Sequence, residues 1–167
     1  MKKIIITFVL TLFAAISVTS QTKFDLPQNI ELNKASDYAK YENDIVSAAK
    51  WLEETDLNQE AKKRKQVDVF IIKWVSGTPN FTIDMNQSLI KLYGDNHELL
   101  VLFMASYSAY SLENKNANKT AATKTGIVSM INVYKKGISI KKSKEMEKAI
   151  KALDQNKLDE YIQKNFG

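Results

Sequence analysis

The chain contains a single histidine, and this residue is where a catalytic or metal-binding hypothesis has to begin. His97 stands between Asp95 and Glu98, and Asp84 is a further carboxylate with which a catalytic hypothesis would pair it. Histidine catalysis needs both a reacting partner and a group that orients the ring. One histidine without an HExxH spacing does not supply the ligands of a zinc site. We therefore predict no catalytic, cofactor-binding or metal-ligating residues and no cofactor, with His97 at the surface of a helix.

Several carboxylates stand close together in the sequence, and acid–base catalysis often uses two carboxyl groups that face one cleft. Neighbouring residues of a helix point in different directions, so such pairs do not converge by themselves. The chain also has no cysteine, no GxSxG elbow and no Gly-rich phosphate loop. We interpret the pairs as solvated helix faces, and a carboxylate-dependent hydrolase is our least favoured hypothesis. The pairs are Glu53–Glu54, Glu145 with Glu147, and Asp159–Glu160.

Positive charge is concentrated in the C-terminal part of the chain. Ten lysines and only two acids occur between Lys115 and Lys151. A dense basic patch attracts anionic lipid headgroups or an acidic protein. The alternative is an ordinary solvated surface, because the lysines do not alternate with aromatic residues as in a stacking platform. The residues that we predict to contact an envelope protein or an anionic surface are Lys141, Lys142, Lys144, Lys148 and Lys151.

Aromatic side chains recur at helical spacing through the middle of the chain. Such residues either fill a core or line an apolar pocket between helices. The sequence leaves both readings open, and the second makes the protein a carrier or sensor of a small apolar ligand. The residues concerned are Trp51, Trp74, Phe81, Tyr93, Phe103, Tyr107 and Tyr110.

The first twenty residues have the pattern of an export signal. Lys2 and Lys3 precede an apolar run, and small residues up to Ser20 offer a cleavage site before Gln21. The apolar run is shorter than the roughly 20 residues that a transmembrane helix needs. We therefore expect residues 1–20 to be a signal peptide and the protein to be periplasmic or secreted, with no membrane-spanning segment after cleavage.

The amino-acid composition argues against nucleic acid as a partner. The net charge is +5, but Arg64 is the only arginine in the chain. Nucleic-acid binders rely on arginine for bidentate contacts with phosphates and bases. The predicted export from the cytoplasm also argues against a nucleic-acid partner.

Periodic apolar residues and scarce glycine and proline predict an all-α protein. The predicted helix with residues Leu99 to Met104 is apolar on all sides, so we expect it at the centre. A break near residues 155–156 separates the last two helices. The predicted helices span residues 37–54, 58–76, 84–93, 96–113 and 119–136, followed by one that starts after Ser143 and a short terminal one.

Capping residues mark the ends of these helices. Ser36 and Ser143 are predicted N-caps, and Asp95 with Glu98 has the spacing of a capping box. Gly77 is predicted to take the left-handed C′ position. In the helix 84–93, Met85, Leu89 and Leu92 are predicted to face inward.

These elements predict an irregular antiparallel bundle of six or seven helices, with a short helix-pair α-solenoid as the alternative. Residues 21–35 form an extended lead-in that either docks on the body or stays mobile, and residues 36–167 form one helical domain. Without a catalytic set, the favoured function is an exported, non-catalytic module that binds a protein or an envelope component.

The signal followed by Gln21, the segment from Phe70 to Trp74 before Thr78 and Pro79, and the late-helix pattern together resemble small exported helical proteins of Bacteroidetes-type Gram-negative bacteria. The resemblance implies an exported, helical protein. It implies no activity and no site residues.

Overall fold

The computed structural model describes residues 23–116 and 118–167, so the predicted signal segment 1–20 and Gln21 lie outside the described residues. All regular structure within these residues is helical, which confirms the predicted fold class. A single 3₁₀ turn, Ala39–Tyr41, joins the first two helices. The helices are α1 (Ala35–Tyr38), α2 (Glu42–Glu54), α3 (Ala61–Val75), α4 (Gln87–Tyr93), α5 (His97–Glu113), α6 (Lys119–Lys136), α7 (Lys144–Asp154) and α8 (Leu158–Phe166).

Helix α5 lies at the centre of the molecule. It packs most extensively against α6, then against α2, and also contacts α3 and α4. Leu99, Leu102 and Phe103 on this helix are buried, with no more than 2% of each residue exposed. A helix that is apolar on all sides must be covered on most of them, so the central position predicted for it is confirmed.

The helices form a bundle around one apolar core rather than a solenoid. In a solenoid each helix pair touches only its neighbours along the chain. Here α2 packs on α5 and α6, and α4 packs on α7 and α8, across large separations in sequence. None of the helices in the described residues combines the length and the apolar character that crossing a bilayer requires.

The segment before α1 is extended and docks on the bundle. Residues 23–34 contain no helix, yet Phe24 is only 3% exposed. Its ring centroid lies 6.5 Å from that of Trp51 on α2. Burial of this one aromatic ring therefore anchors a segment that has no helical stripe of its own.

The first helix begins earlier than predicted, and Ser36 is not its N-cap. The helix starts at Ala35, with Lys34 in the N-cap position. The Asp37 carboxylate, at 5% exposure, accepts hydrogen bonds from the backbone N–H groups of Asn33 and Lys34 at 3.1 Å each. Asp37 thus fixes the start of the helix through two backbone donors that precede it, and no side chain at position 36 is needed for this.

Gly77 does not take the predicted left-handed conformation. Gly137 does, and Gly94 has a positive φ with an extended ψ. A Cβ atom on Gly77 would lie 2.6 Å from Cζ of Tyr38. The glycine is therefore required by the close approach of the Tyr38 ring rather than by its own backbone angle.

The capping box predicted from Asp95 and Glu98 is not formed. The N-cap residue of α5 is Asn96, and its side chain does not cap the helix. Instead, the Asn96 amide accepts a hydrogen bond from Lys141 N at 2.7 Å and donates one to Lys141 O at 2.9 Å. A contact between positions 45 residues apart has replaced the local cap.

Other boundaries follow the sequence closely. Helix α6 has the predicted bounds, Ser143 caps α7, and a break separates α7 from α8. Helix α4 starts three residues later than predicted. Leu89 and Leu92 are fully buried there, whereas Met85 precedes the helix and is 44% exposed, so its predicted inward position is wrong.

Candidate functional site

The predicted basic patch is a defined surface on α7 and the loop before it. Ser143 Oγ accepts a hydrogen bond from Met146 N and donates one to Leu92 O at 3.1 Å, which fixes the start of α7 against α4. Met146 and Ala149 on α7 are fully buried. Burial of this stripe turns the opposite side of the helix to solvent. We call the exposed set the lysine face: Lys141, Lys142, Lys144, Lys148 and Lys151.

Helix α8 extends the lysine face. A groove of about 280 Å³ between α7 and α8 is lined by Lys148 and Lys151 from the predicted patch and by Lys157 and Lys164. Tyr161 also lines the groove, and burial raises the pKa of its phenol, which keeps the group neutral. Lys157 and Lys164 were not predicted to belong to this surface, because nothing in the local sequence indicates that α8 lies alongside α7.

One carboxylate, that of Glu160, lines the groove together with these lysines. Other carboxylates nearby are paired with other groups. Glu147 accepts a hydrogen bond from Tyr134 Oη at 2.9 Å, and Asp154 pairs with Lys135 at 3.3 Å. Glu145 pairs with Lys148 at 2.8 Å. Within residues 23–116 and 118–167, six lysines of this region have no carboxylate within 4.0 Å. They are Lys141, Lys142, Lys144, Lys151, Lys157 and Lys164.

His97 is exposed, with its ring 5.9 Å from that of Tyr93. Asp84, the carboxylate furthest from it in sequence among its suggested partners, instead forms an ion pair with Lys119. No group of three or more metal-binding side chains occurs in the part of the chain that the structure describes. Asp84 is thus held by Lys119 at the start of α6.

The carboxylate pairs do not converge on one cleft. Glu53 accepts hydrogen bonds from Ser129 Oγ at 2.5 Å and from Asn132 Nδ2 at 2.8 Å, both on α6. Asp159 pairs with Lys124 at 2.7 Å. These contacts connect neighbouring helices, so a structural role accounts for the carboxylates involved.

Most of the predicted aromatic set belongs to the core. Trp51, Trp74 and Phe103 are no more than 2% exposed. Phe81 is only partly buried and packs between Trp74 and Tyr107, with centroid distances of 6.0 and 5.6 Å. The stacked rings favour the interpretation that most of these aromatic residues fill the core. Within the stack, Phe81 is the most exposed ring.

The sole arginine is buried, which sequence analysis did not predict. Arg64 is 5% exposed, donates a 2.6 Å hydrogen bond to Thr55 O, and lies 5.4 Å from the centroid of the Trp51 ring. Burial lowers its pKa, while Asp68 and other carboxylates oppose that change. Because the guanidinium binds the chain just after α2, its role is to join α2 to α3.

Comparison of the chain with protein-family models, with curated proteins and with solved structures gave no match.

Proposed function

We propose that this protein is an exported, non-catalytic helical module that binds an acidic protein of the cell envelope through the lysine face. The observation that carries the proposal is the set of six lysines around α7 and α8 that have no carboxylate within 4.0 Å in the described residues. Unpaired positive charges around a groove attract carboxylates and steer their approach. The export signal expected at residues 1–20 supports an envelope partner.

An acidic protein fits this surface better than a lipid bilayer does. Amphipathic helices that bind bilayers combine basic residues with large apolar side chains that enter the membrane. The large apolar residues that are exposed in the described chain are Val69, Ile72, Met85 and Ile90, and none of them is on α7 or α8. The lysine face therefore has positive charge and a groove but no large exposed apolar side chain that could enter a bilayer.

The decisive test compares two triple charge reversals with the same net charge. Binding of a poly-L-glutamate peptide and of phosphatidylglycerol vesicles is measured for the purified chain at several salt concentrations. We expect the peptide to bind and its affinity to fall steeply with salt. The reversal in the groove should abolish binding, and a matched reversal of exposed α3 lysines should not. The two variants are Lys148→Glu/Lys151→Glu/Lys157→Glu and Lys62→Glu/Lys65→Glu/Lys73→Glu.

The same pair of variants then tests any envelope protein captured with the wild-type chain. Its affinity, measured with purified components, should be lost with the groove reversal and retained with the α3 reversal. Equal losses in both variants would show that only net charge matters. Binding to vesicles but not to the peptide would indicate that the lysine face binds a membrane rather than a protein.

A second candidate function, transport or sensing of a small apolar ligand, is favoured by one observation. An open cleft of about 280 Å³ lies between α2, α5 and α6. Its lining combines small or apolar residues with charged ones: Val46, Ala49 and Ala109, and Lys50, Glu53 and Glu113. A ligand held between α5 and α6 would reach its site through this cleft. Native mass spectrometry of protein purified without detergent should then show a bound mass, and Ala109→Phe should remove it. Consistently ligand-free protein would argue against transport.

A further inference from the structure

Another cleft, distinct from the lysine face and from the cleft between α2, α5 and α6, lies where four parts of the chain meet. Residues at the start of α2, in the connector between α3 and α4 and at the end of α5, together with Lys115 and Asn118, border an open cleft of about 420 Å³. This volume is within the range of small-molecule sites and has room for roughly one or two sugar rings. None of its lining residues belongs to α7 or α8.

The aromatic ring of Phe81 lines this cleft and packs on other aromatic rings. Phe81 lines the cleft and packs on Trp74 and on Tyr107, which also lines it. Tyr107 in turn packs on the buried Phe103 with a centroid distance of 6.1 Å. The Phe81 ring is therefore held by a stack that reaches the core. A rigid, partly exposed ring is suited to packing against the apolar C–H face of a ligand.

Three exposed asparagines line the same cleft as Phe81, and one end of each amide forms a hydrogen bond within the protein. Asn80 Nδ2 donates to Glu42 Oε1 at 2.8 Å, and Asn114 Nδ2 donates to Tyr110 O at 2.8 Å. Asn118 Oδ1 accepts from Ala121 N at 2.8 Å. These bonds favour one orientation of each amide, which lowers the entropic cost of binding.

The other end of each amide has no hydrogen-bond partner within residues 23–116 and 118–167. Asn80 and Asn114 present carbonyl oxygens, which accept, and Asn118 presents an NH₂ group, which donates. Glu42 adds a carboxylate oxygen and Lys115 adds an ammonium group. The cleft thus offers both donors and acceptors, and its two formal charges cancel.

Mixed donors and acceptors select for hydroxyl groups. A hydroxyl both donates and accepts, whereas a carboxylate only accepts and an ammonium only donates. We propose that this cleft binds an uncharged saccharide unit, with one ring face on Phe81 and its hydroxyl groups on the side chains of Asn80, Asn114 and Asn118. This inference does not depend on the lysine face.

The test is saturation-transfer NMR and tryptophan fluorescence of the full chain with three probes: maltotriose, cellotriose and chitotriose. Binding of at least one probe should perturb the fluorescence of Trp74, because its ring contacts Phe81. Phe81→Leu keeps an apolar side chain against Trp74 but removes the flat ring, and it should weaken binding about tenfold. Asn114→Ala, at an exposed position, should weaken it about threefold to tenfold.

Two matched variants serve as controls. Phe166→Leu and Asn58→Ala make the same chemical changes outside the cleft and should leave saccharide affinity unchanged. The lysine-face reversal should also retain it, which separates this proposal from the preceding one. If Phe81→Leu does not fold, Asn114→Ala still decides the question.

Two results would overturn the saccharide proposal. One is the absence of any signal from the three probes up to about 10 mM, the weak end of measurable affinity. The other is binding that neither Phe81→Leu nor Asn114→Ala weakens, because the sugar would then sit elsewhere on the protein.

Discussion

Gly126 on α6 packs directly against Phe103 on α5. A Cβ atom on Gly126 would lie 2.6 Å from Phe103 Cδ2 and 3.1 Å from Phe103 O. The Phe103 ring is 2% exposed and has little space into which to move. The absence of a side chain at position 126 therefore sets how closely the two most extensively packed helices approach each other.

Gly126→Ala should destabilise the fold despite its better helix propensity. Alanine gains about 1 kcal/mol over glycine inside a helix, but overpacking of a core costs about 1–3 kcal/mol. We expect a lower free energy of unfolding in urea denaturation. Adding Phe103→Leu to Gly126→Ala should cost less than the two separate losses combined, because the ring edge that clashes is gone. Strictly additive losses would show that the close contact is not the cause.

Arg64→Ala should lower the free energy of unfolding by about 2–4 kcal/mol, because it removes a buried charged hydrogen bond and the contact with Trp51. Lys65→Ala, at the exposed neighbouring position, should change it by less than about 0.5 kcal/mol. Chemical denaturation of both variants measures the difference. Similar values for the two would mean that Arg64 belongs to the solvated lysine run around it.

Asp68 should make stability fall as the pH rises from about 4 to 6. Burial raises the pKa of this carboxyl to about 6, and Glu98 adds to the shift while Arg64 opposes it. The unfolded value is about 3.9, so between these values the folded state holds more protons than the unfolded state. Asp68→Asn should remove this slope and raise stability at pH 7 by about 1–2 kcal/mol, after allowance for solvent screening. Asp95→Asn is the control, and a slope that survives in Asp68→Asn would assign it to another group.

Asn96→Ala should cost about 1–3 kcal/mol, since it removes both hydrogen bonds to Lys141. The amide of Lys141 should also exchange its hydrogen faster, because Asn96 Oδ1 is its acceptor. Asp95→Ala should cost no more than about 0.5 kcal/mol, the value of a favourable charge near a helix N-terminus. A larger loss of stability from Asp95→Ala than from Asn96→Ala would instead support the capping box predicted from the sequence.

The helices of this protein were predictable because helix formation depends on neighbours three and four residues away. Helix α6 has the predicted bounds, and the cap at Ser143 formed as expected. The apolar surface of α5 likewise indicated its central position, since burial follows from composition around one helix. The five lysines predicted to form the basic patch are all exposed, because the charged side chains of a short dense segment remain in solvent.

The tertiary structure alone decided which distant residues meet. The Asn96 bonds to Lys141, the burial of Arg64 beside Trp51 and the requirement for glycine beside Tyr38 each join positions that no local pattern connects. The same is true of the cleft around Phe81, to which four separate parts of the chain contribute. Local periodicity fixes which face of a helix is apolar, but the partner of a polar side chain depends on how the helices pack together.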